Sequence, residues 1–267
     1  MEVKNVYTLY FSPTGNSKKA AIHVASQLAD SWIEIDWTRL EQRVQACKLT
    51  SQDLLIFAMP TYAGRLPNKI VSSIQKNLSG NQTPAIVLVT YGNRSHQDAL
   101  KESVNILSDC GFSIIAAASL CTEHAFTSRL ACGRPNEKDF EELRDFAWKI
   151  KEKLPSYDCV FEQSKWNVGA YYVPLKQDGN PARFLKAVPK TDLSGCTDCK
   201  ACVRVCPMGS IDWNDPSKVT GICIKCQACI HVCEAHCKYF DDEDFLSHVR
   251  MLEETYADAK ENQFWMR

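Results

Sequence analysis

The chain has 267 residues, 45% hydrophobic and 24% charged, an ordinary globular composition with room for about two domains. Its 31 Lys and Arg against 32 Asp and Glu give a formal net charge of -1, which offers no basic footprint to a nucleic-acid backbone. The longest apolar runs (Leu54 to Met59, Ala85 to Val89, Ile114 to Ala118) fall far short of the ~18 residues of a membrane span. Met1 to Lys4 leads directly into a strand pattern, so no signal peptide or membrane anchor is expected and a cytoplasmic location is predicted.

In chain order, a strand over Val6 to Phe11 is followed by a helix through Ser17 to Ala29, then by apolar runs at Trp32 to Trp37, Leu54 to Met59, Ala85 to Thr90 and Ser113 to Leu120. Strands alternating with helical patterns predict an α/β domain whose parallel sheet is covered by helices on both faces. A further helix is expected from Asn136 to Leu154, with Phe140, Leu143, Phe146, Ala147 and Ile150 facing the sheet. These elements define a first domain over 1–155. Residues 156–190 carry Pro174, Gly179, Pro181 and Pro189 without a clear period, and read as a connector whose aromatics (Trp166, Tyr171, Tyr172, Phe184) pack against a domain.

The 14 cysteines divide the chain. Cys47, Cys110, Cys121, Cys132 and Cys159 are scattered, whereas nine fall between Cys196 and Cys237. In a chain without an export signal, such a density points to metal binding or redox chemistry. Cys196, Cys199, Cys202 and Cys206 form C-x2-C-x2-C-x3-C, and Cys223, Cys226, Cys229 and Cys233 repeat it 27 residues later (223 minus 196). Three thiolates at this spacing wrap one corner of a cubane, and the fourth comes from elsewhere. In the bacterial pattern the last cysteine of each run serves the other cluster. That assigns Cys196, Cys199, Cys202 and Cys233 to one 4Fe-4S cluster and Cys223, Cys226, Cys229 and Cys206 to a second. Zinc sites use pairs of C-x2-C rather than triplets. Pro207 follows the first run, but Glu234 stands in its place after the second, and Cys237 is additional; it reads as a free thiol, with ligand exchange as the alternative. This metal-binding domain spans 191–240, and 241–267 is expected to be a C-terminal helix. From Glu234 to Arg267 nine Asp and Glu oppose four Lys and Arg, a solvated face or a docking surface for a basic partner.

Three loops in the first domain carry the ligand signal. Ser12-Pro13-Thr14-Gly15-Asn16-Ser17 runs from a strand into a helix start, an anion site suited to a phosphate ester. It lacks both the lysine of a nucleotide-triphosphate loop and the glycine fingerprint of a dinucleotide site. Pro60, Thr61, Tyr62, Ala63, Gly64, Arg65, Leu66 and Pro67 follow the next core strand, and Tyr91, Gly92, Asn93 and Arg94 the one after. One phosphate loop and two tyrosine-bearing loops at the C-terminal ends of parallel strands suit a flat aromatic ring with a phosphate tail, and flavin mononucleotide (FMN) is that ligand. Lys18 and Lys19 read as a solvated helix face, Arg65 and Arg94 as flavin or partner contacts or plain salt bridges, and Glu123 and His124 as a proton donor or a structural pair.

The Ser12 to Ser17 loop, the tyrosine loops and the paired cysteine runs resemble the fused flavodoxin/ferredoxin proteins. The Arg134-Pro135 pair and the Asp241 to Glu253 stretch extend the likeness over nearly the whole chain. The resemblance implies a flavodoxin-like doubly wound sheet of five parallel strands in the order 2-1-3-4-5, with a small α+β ferredoxin domain holding two 4Fe-4S clusters. By it, Ser12, Thr14, Gly15, Asn16 and Ser17 hold the phosphate, and Tyr62 and Tyr91 sandwich the ring. The expected function is electron transfer between a redox protein partner and a two-electron acceptor. Its rival is a flavin-dependent reductase of a small organic acceptor such as a quinone, with the clusters as on-board donor.

Overall fold

The computed structural model describes residues 3–154 and 165–266. Cys159 and the start of the connector, 156–164, lie outside the described residues. β1 (Asn5–Tyr10), β2 (Ile33–Asp36), β3 (Asp53–Pro60), β4 (Thr83–Tyr91) and β5 (Phe112–Cys121) lie parallel in one sheet. β1 sits between β2 and β3, and β4 and β5 follow outward from β3, so the crossover reverses direction beside β1.

Both faces of this sheet are dry. Leu55, Phe57 and Met59 of β3 join one apolar cluster with Ile70 and Ile74 of α2 (Asn68–Asn77) and with Leu100, Val104 and Leu107 of α3 (Ala99–Asp109). The intervening Leu54, Ile56 and Ala58 join the opposite cluster with Ala21, Val24 and Ala25 of α1 (Asn16–Leu28) and Leu143, Phe146 and Ile150 of α4 (Glu137–Lys153). The continuous apolar runs in the sequence are the signature of such doubly covered strands. α4 begins with a reciprocal cap, in which Asn136 accepts from the Asp139 amide and Asp139 accepts from the Asn136 amide.

The sheet has six strands rather than the expected five, and the C-terminal segment is not one helix. α5 (Glu243–Thr255) ends at Thr255, and β6 (Gln263–Met266) returns antiparallel to β5 with Phe264 opposite Ala118. Without it the outer edge of β5 would present unpaired backbone groups. Phe264 and Met266 pack on one face of the sheet and Trp265 on the other, which is strand alternation.

The cysteine-rich region is built from turns. Two single helical turns, Ala201–Arg204 and Ala228–His231, each follow a left-handed residue, Lys200 or Gln227. Positive φ recurs at Asp198 and Lys225, at Lys200 and Gln227, and at Gly209 and His236, each pair 27 residues apart by subtraction, so the sequence repeat is also a backbone repeat. A short antiparallel pair, Lys190–Thr191 with Lys238–Tyr239, closes the region.

Candidate functional site

The turn after β1 enters α1 through a left-handed Gly15 (φ +89°), a conformation that costs glycine little. The Ser12 hydroxyl accepts from the Lys18 amide (2.9 Å), and the Ser12 amide donates to Thr38 (2.8 Å), which fixes the loop from two sides. Buried Ser17 shares a hydroxyl hydrogen bond with Thr90 (2.8 Å), tying the helix start to the end of β4. The first amides of a helix have no intrahelical acceptor, and the first turn of α1 contains no acidic side chain, so its positive end is available to an anion. Ser12, Thr14, Asn16 and Ser17 line a cavity of about 580 Å³. Gly15 shapes this loop without lining the cavity, and Lys18 pairs with Glu34 on the surface (3.3 Å).

The loop after β3 is a tight turn in which Tyr62 and Arg65 exchange backbone hydrogen bonds (2.8 and 3.1 Å), with positive φ at Ala63 and Gly64. Gly64 is left-handed (φ +79°), a conformation that side chains rarely adopt, and a Cβ there would also displace the amide end of Gln97. Pro60, Thr61, Tyr62, Ala63 and Gly64 all line the cavity, as do Tyr91 and Gly92 after β4. Gly92 has no room for a side chain because His124 packs on it; a Cβ there would meet the ring at 2.4 Å.

Two arginines and one asparagine sort differently. Asn93 is fully buried but does not line the cavity: its amide donates to the carbonyls of Tyr256 (2.6 Å) and Asp258 (3.0 Å) and accepts from the Lys260 amide (3.2 Å). The expectation that it binds the cofactor gives way to a role as anchor of the C-terminal strap, which local sequence could not reveal across more than 160 residues. Arg65 is an anchor too, ion-paired with Glu102 (2.7 Å) and donating to the Gly169 carbonyl. Arg94 lines the cavity and stacks on Tyr172, its guanidinium carbon 3.9 Å from the ring centroid.

Glu123 and His124 line the cavity as well, and further wall comes from segments that the sequence did not assign to a site. The connector supplies Tyr171, Tyr172 and Phe184, and α5 supplies His248 and Leu252. Tyr172 is held by its amide on the Ala63 carbonyl (2.8 Å), and Tyr171 by its hydroxyl on the Leu66 carbonyl (2.8 Å). Burial, with the charges of His248 and Arg94, pushes the His124 pKa down to about 4; burial likewise lowers that of His248. His124 Nδ1 accepts from the Phe126 amide (3.1 Å), so its ring is held neutral near pH 7.

The thiols fall into two groups. Cys206, Cys223, Cys226 and Cys229 line one small apolar cavity with Pro207, Ile211 and Phe240. Burial and the neighbouring thiols push Cys226 and Cys229 up to about 12. Cys229 is buried and the other three are half-buried, and burial raises Cys223 as it does Cys226 and Cys229. Such a set of thiols fits a site completed by iron, whose positive charge makes coordinating thiols give up their protons. In the first group, that of Cys196, Cys199, Cys202 and Cys233, Cys202 lies close to Cys196 and Cys233. Cys199 is exposed, and Cys237 is buried beside Cys233, with the two sulfurs 3.3 Å apart. Among the described residues no three His, Cys, Asp or Glu side chains converge on the space of a single metal ion.

The family described as 4Fe-4S dicluster domain matches residues 165–249. Residues 5–121 carry five parallel strands in the order 2-1-3-4-5, the flavodoxin-like doubly wound arrangement. The chain joins a flavodoxin-like fold to a 4Fe-4S dicluster domain. Among solved structures it is similar to a flavodoxin from Streptococcus pneumonia TIGR4, at 19% identity over 56% of this chain and 99% of that one, with a TM-score of 0.39. It is also similar to a flavodoxin from the domain Archaea, at 15% identity over 57% of this chain and 99% of that one, with a TM-score of 0.37. A third is rubredoxin oxygen:oxidoreductase from Desulfovibrio gigas, at 16% identity over 58% of this chain and 37% of that one, with a TM-score of 0.35. No curated protein matches the chain significantly. Among the described residues no helix is long and apolar enough to cross a membrane.

The dicluster domain and the flavodoxin-like fold meet at the cavity. Ile222, Cys223, Ile224, Lys225 and Cys226 form part of its wall together with the loops of the sheet. Tyr62 stands at this junction: burial, and the thiols of Cys226 and Cys223 beside it, raise its phenol well above the ordinary range. Further contacts hold the two parts together, His231 to the Ala125 carbonyl (3.0 Å), Phe126 against Phe245 (4.9 Å) and Arg43 to the Pro207 carbonyl.

Proposed function

We propose that this protein is an electron-transfer iron-sulfur flavoprotein that passes electrons between two 4Fe-4S clusters and FMN, linking a low-potential one-electron partner to a two-electron acceptor. The observation that carries this reading is the shared cavity, whose wall includes both Thr14 and Ser17 of the first loop and Cys223 and Cys226 of the cysteine-rich region. FMN, when bound, would supply a centre that accepts one or two electrons, and the clusters would supply one-electron steps.

The chain's own residues define what each part does. The positive end of α1 and the Ser12, Thr14 and Ser17 hydroxyls bind the phosphate end of the ligand. Pro60 to Gly64 and the Tyr91-Gly92 turn hold its ring, with Tyr62 between the cavity and the second thiol group. Tyr171, Tyr172 and Phe184 cover the cavity and exclude water. Cys206, Cys223, Cys226 and Cys229 would ligate the cluster nearer the flavin, and Cys196, Cys202, Cys233 and Cys199 or a substitute the farther one. A cluster adjoining the flavin pocket would make the transfer intramolecular, and the exposure of Cys199 supports docking of a protein partner beside the farther cluster.

Anaerobic purification tests the reading: about eight irons and eight sulfides are expected per chain, with releasable FMN. After dithionite reduction, protein partners should reoxidise the flavin, while small acceptors should do so without saturation. Material that holds neither iron nor flavin would overturn the proposal. The reductase reading has one observation in its favour, since Arg94, Tyr172, Phe184 and His248 also line the cavity and would suit a planar anionic acceptor. Saturable, selective reoxidation by small quinones would decide for it.

A further inference from the structure

The internal repeat places two residues in corresponding positions, each four beyond the last cysteine of its run: Ser210 after Cys206 and Cys237 after Cys233. In the first copy the Ser210 amide donates to the Cys206 sulfur (3.4 Å), and its buried hydroxyl donates to the Ile222 carbonyl (2.7 Å). In the second copy the backbone approach to the last cysteine is kept, because the Cys237 amide reaches the Cys233 sulfur. The side chain differs. The Cys237 thiol is only 6% exposed, its sulfur lies 3.3 Å from that of Cys233, and it also reaches the Cys196 thiol. Cys199, the second cysteine of the same group, is exposed. The first thiol group therefore contains five sulfurs, where one cubane needs four.

We propose that Cys237 is an exchangeable fourth ligand of the cluster held by Cys196, Cys202 and Cys233, able to replace Cys199 at the solvent-facing corner. The exchange needs no oxidant or reductant: the Cys237 thiol loses its proton as its sulfur binds iron, and the departing Cys199 sulfur takes one up. A buried reserve thiol, already beside two ligands, would recapture the iron that an exposed ligand releases. The inference rests on the cluster reading above, and the test separates the two. If native protein holds no iron, that reading fails; if native protein is loaded and the variants misbehave, only the exchange fails.

The variants Cys199→Ala, Cys237→Ala and the double variant would be purified anaerobically as full chains, with iron, sulfide, FMN and the electron paramagnetic resonance (EPR) spectrum of the dithionite-reduced protein recorded. Each single variant should keep about eight irons, with an altered EPR spectrum for Cys199→Ala, and the double variant should fall to about four with FMN retained. A fall to about four in either single variant overturns the exchange. Should Cys199→Ala not accumulate, Cys237→Ala carries the test under controlled oxidation: it should lose the first cluster several-fold faster than the native chain, and equal rates would sink the proposal.

Discussion

Between Leu54 and Met59 every side chain is completely buried, with apolar neighbours on both faces of the sheet. Between Cys196 and Cys237 the buried side chains are chiefly Cys202, Ile211, Cys229, Cys233 and Cys237, and the backbone runs through left-handed turns at Asp198, Lys200, Lys225 and Gln227. The first region is stabilised by removing apolar surface from water, at roughly 25 cal/mol per Å². The second has little such surface, so its fold is expected to draw its stability from the metal its thiols bind, as small metal-dependent domains do. The two regions differ in what would unfold them, and that difference can be tested.

Metal removal should have the largest effect. Chelation under anaerobic conditions should bring the amides of 196–237 to the exchange rate of an unfolded chain, while those of β1, β3 and β4 keep their protection in hydrogen-exchange mass spectrometry. Uniform loss across both regions would mean that the sheet depends on the clusters as well. At the proposed FMN site, Thr14→Asp would put a carboxylate beside the ligand's phosphate. Two anions ~5 Å apart at an effective dielectric of 20 repel by about 3 kcal/mol or more, so FMN affinity should drop at least about 100-fold in a fluorescence titration. Unchanged affinity would move the phosphate elsewhere.

The contrast also explains what the sequence made legible. The apolar runs and the cysteine spacing each report a local requirement, a doubly covered strand or a loop around a cubane, and each is written in a few consecutive residues. Cys237 and Asn93 are different. Cys237 belongs to the first thiol group only because the repeat folds back on itself, and Asn93 anchors a strap more than 160 residues away. Likewise Gln263–Met266 is too short for its alternation to stand out, and it becomes a strand only because β5 offers it an edge. The connector's Tyr171 and Tyr172 were recognisable as packing residues, but the wall they pack onto is assembled from four loops of the sheet, the cysteine-rich turns and α5.

Asn93→Ala tests the strap directly. It removes a buried side chain that joins three backbone groups, so about 2–4 kcal/mol of stability should be lost, while FMN affinity changes by no more than a few-fold. A large loss of flavin without loss of stability would restore Asn93 to the cofactor site. His124 contributes a pH dependence on the same side of the cavity. Its folded pKa of about 4 lies below the unfolded value of 6.5, so the unfolded state binds the proton first. Stability is therefore full above about pH 6.5 and is lost as pH falls toward 4, by up to about 3 kcal/mol. His124→Gln should flatten that part of the denaturation profile relative to the native chain, and a parallel profile would show that the ring is not held neutral.

The smallest expected effect lies in the metal-dependent region, where one cation replaces apolar packing. Lys238 is 4% exposed, its ammonium donates to the Pro216 carbonyl, and it lies near a thiol of each group. Burial pushes Cys202 and Cys229 up, and the Lys238 charge pulls both back toward the thiolate. The same charge would favour the more negative reduced state of a cluster. Lys238→Met keeps most of the stem's volume and removes the charge, a change on the order of 1–2 kcal/mol at protein-like dielectric, or roughly 50–90 mV for a one-electron couple. Both cluster potentials should move down by amounts of this size in a dye-mediated EPR titration, with iron content unchanged. A shift confined to one cluster would place the ammonium beside that cluster alone, and no shift would mean that its charge is already neutralised within the turn region, leaving the thiols and the backbone amides to set the potentials.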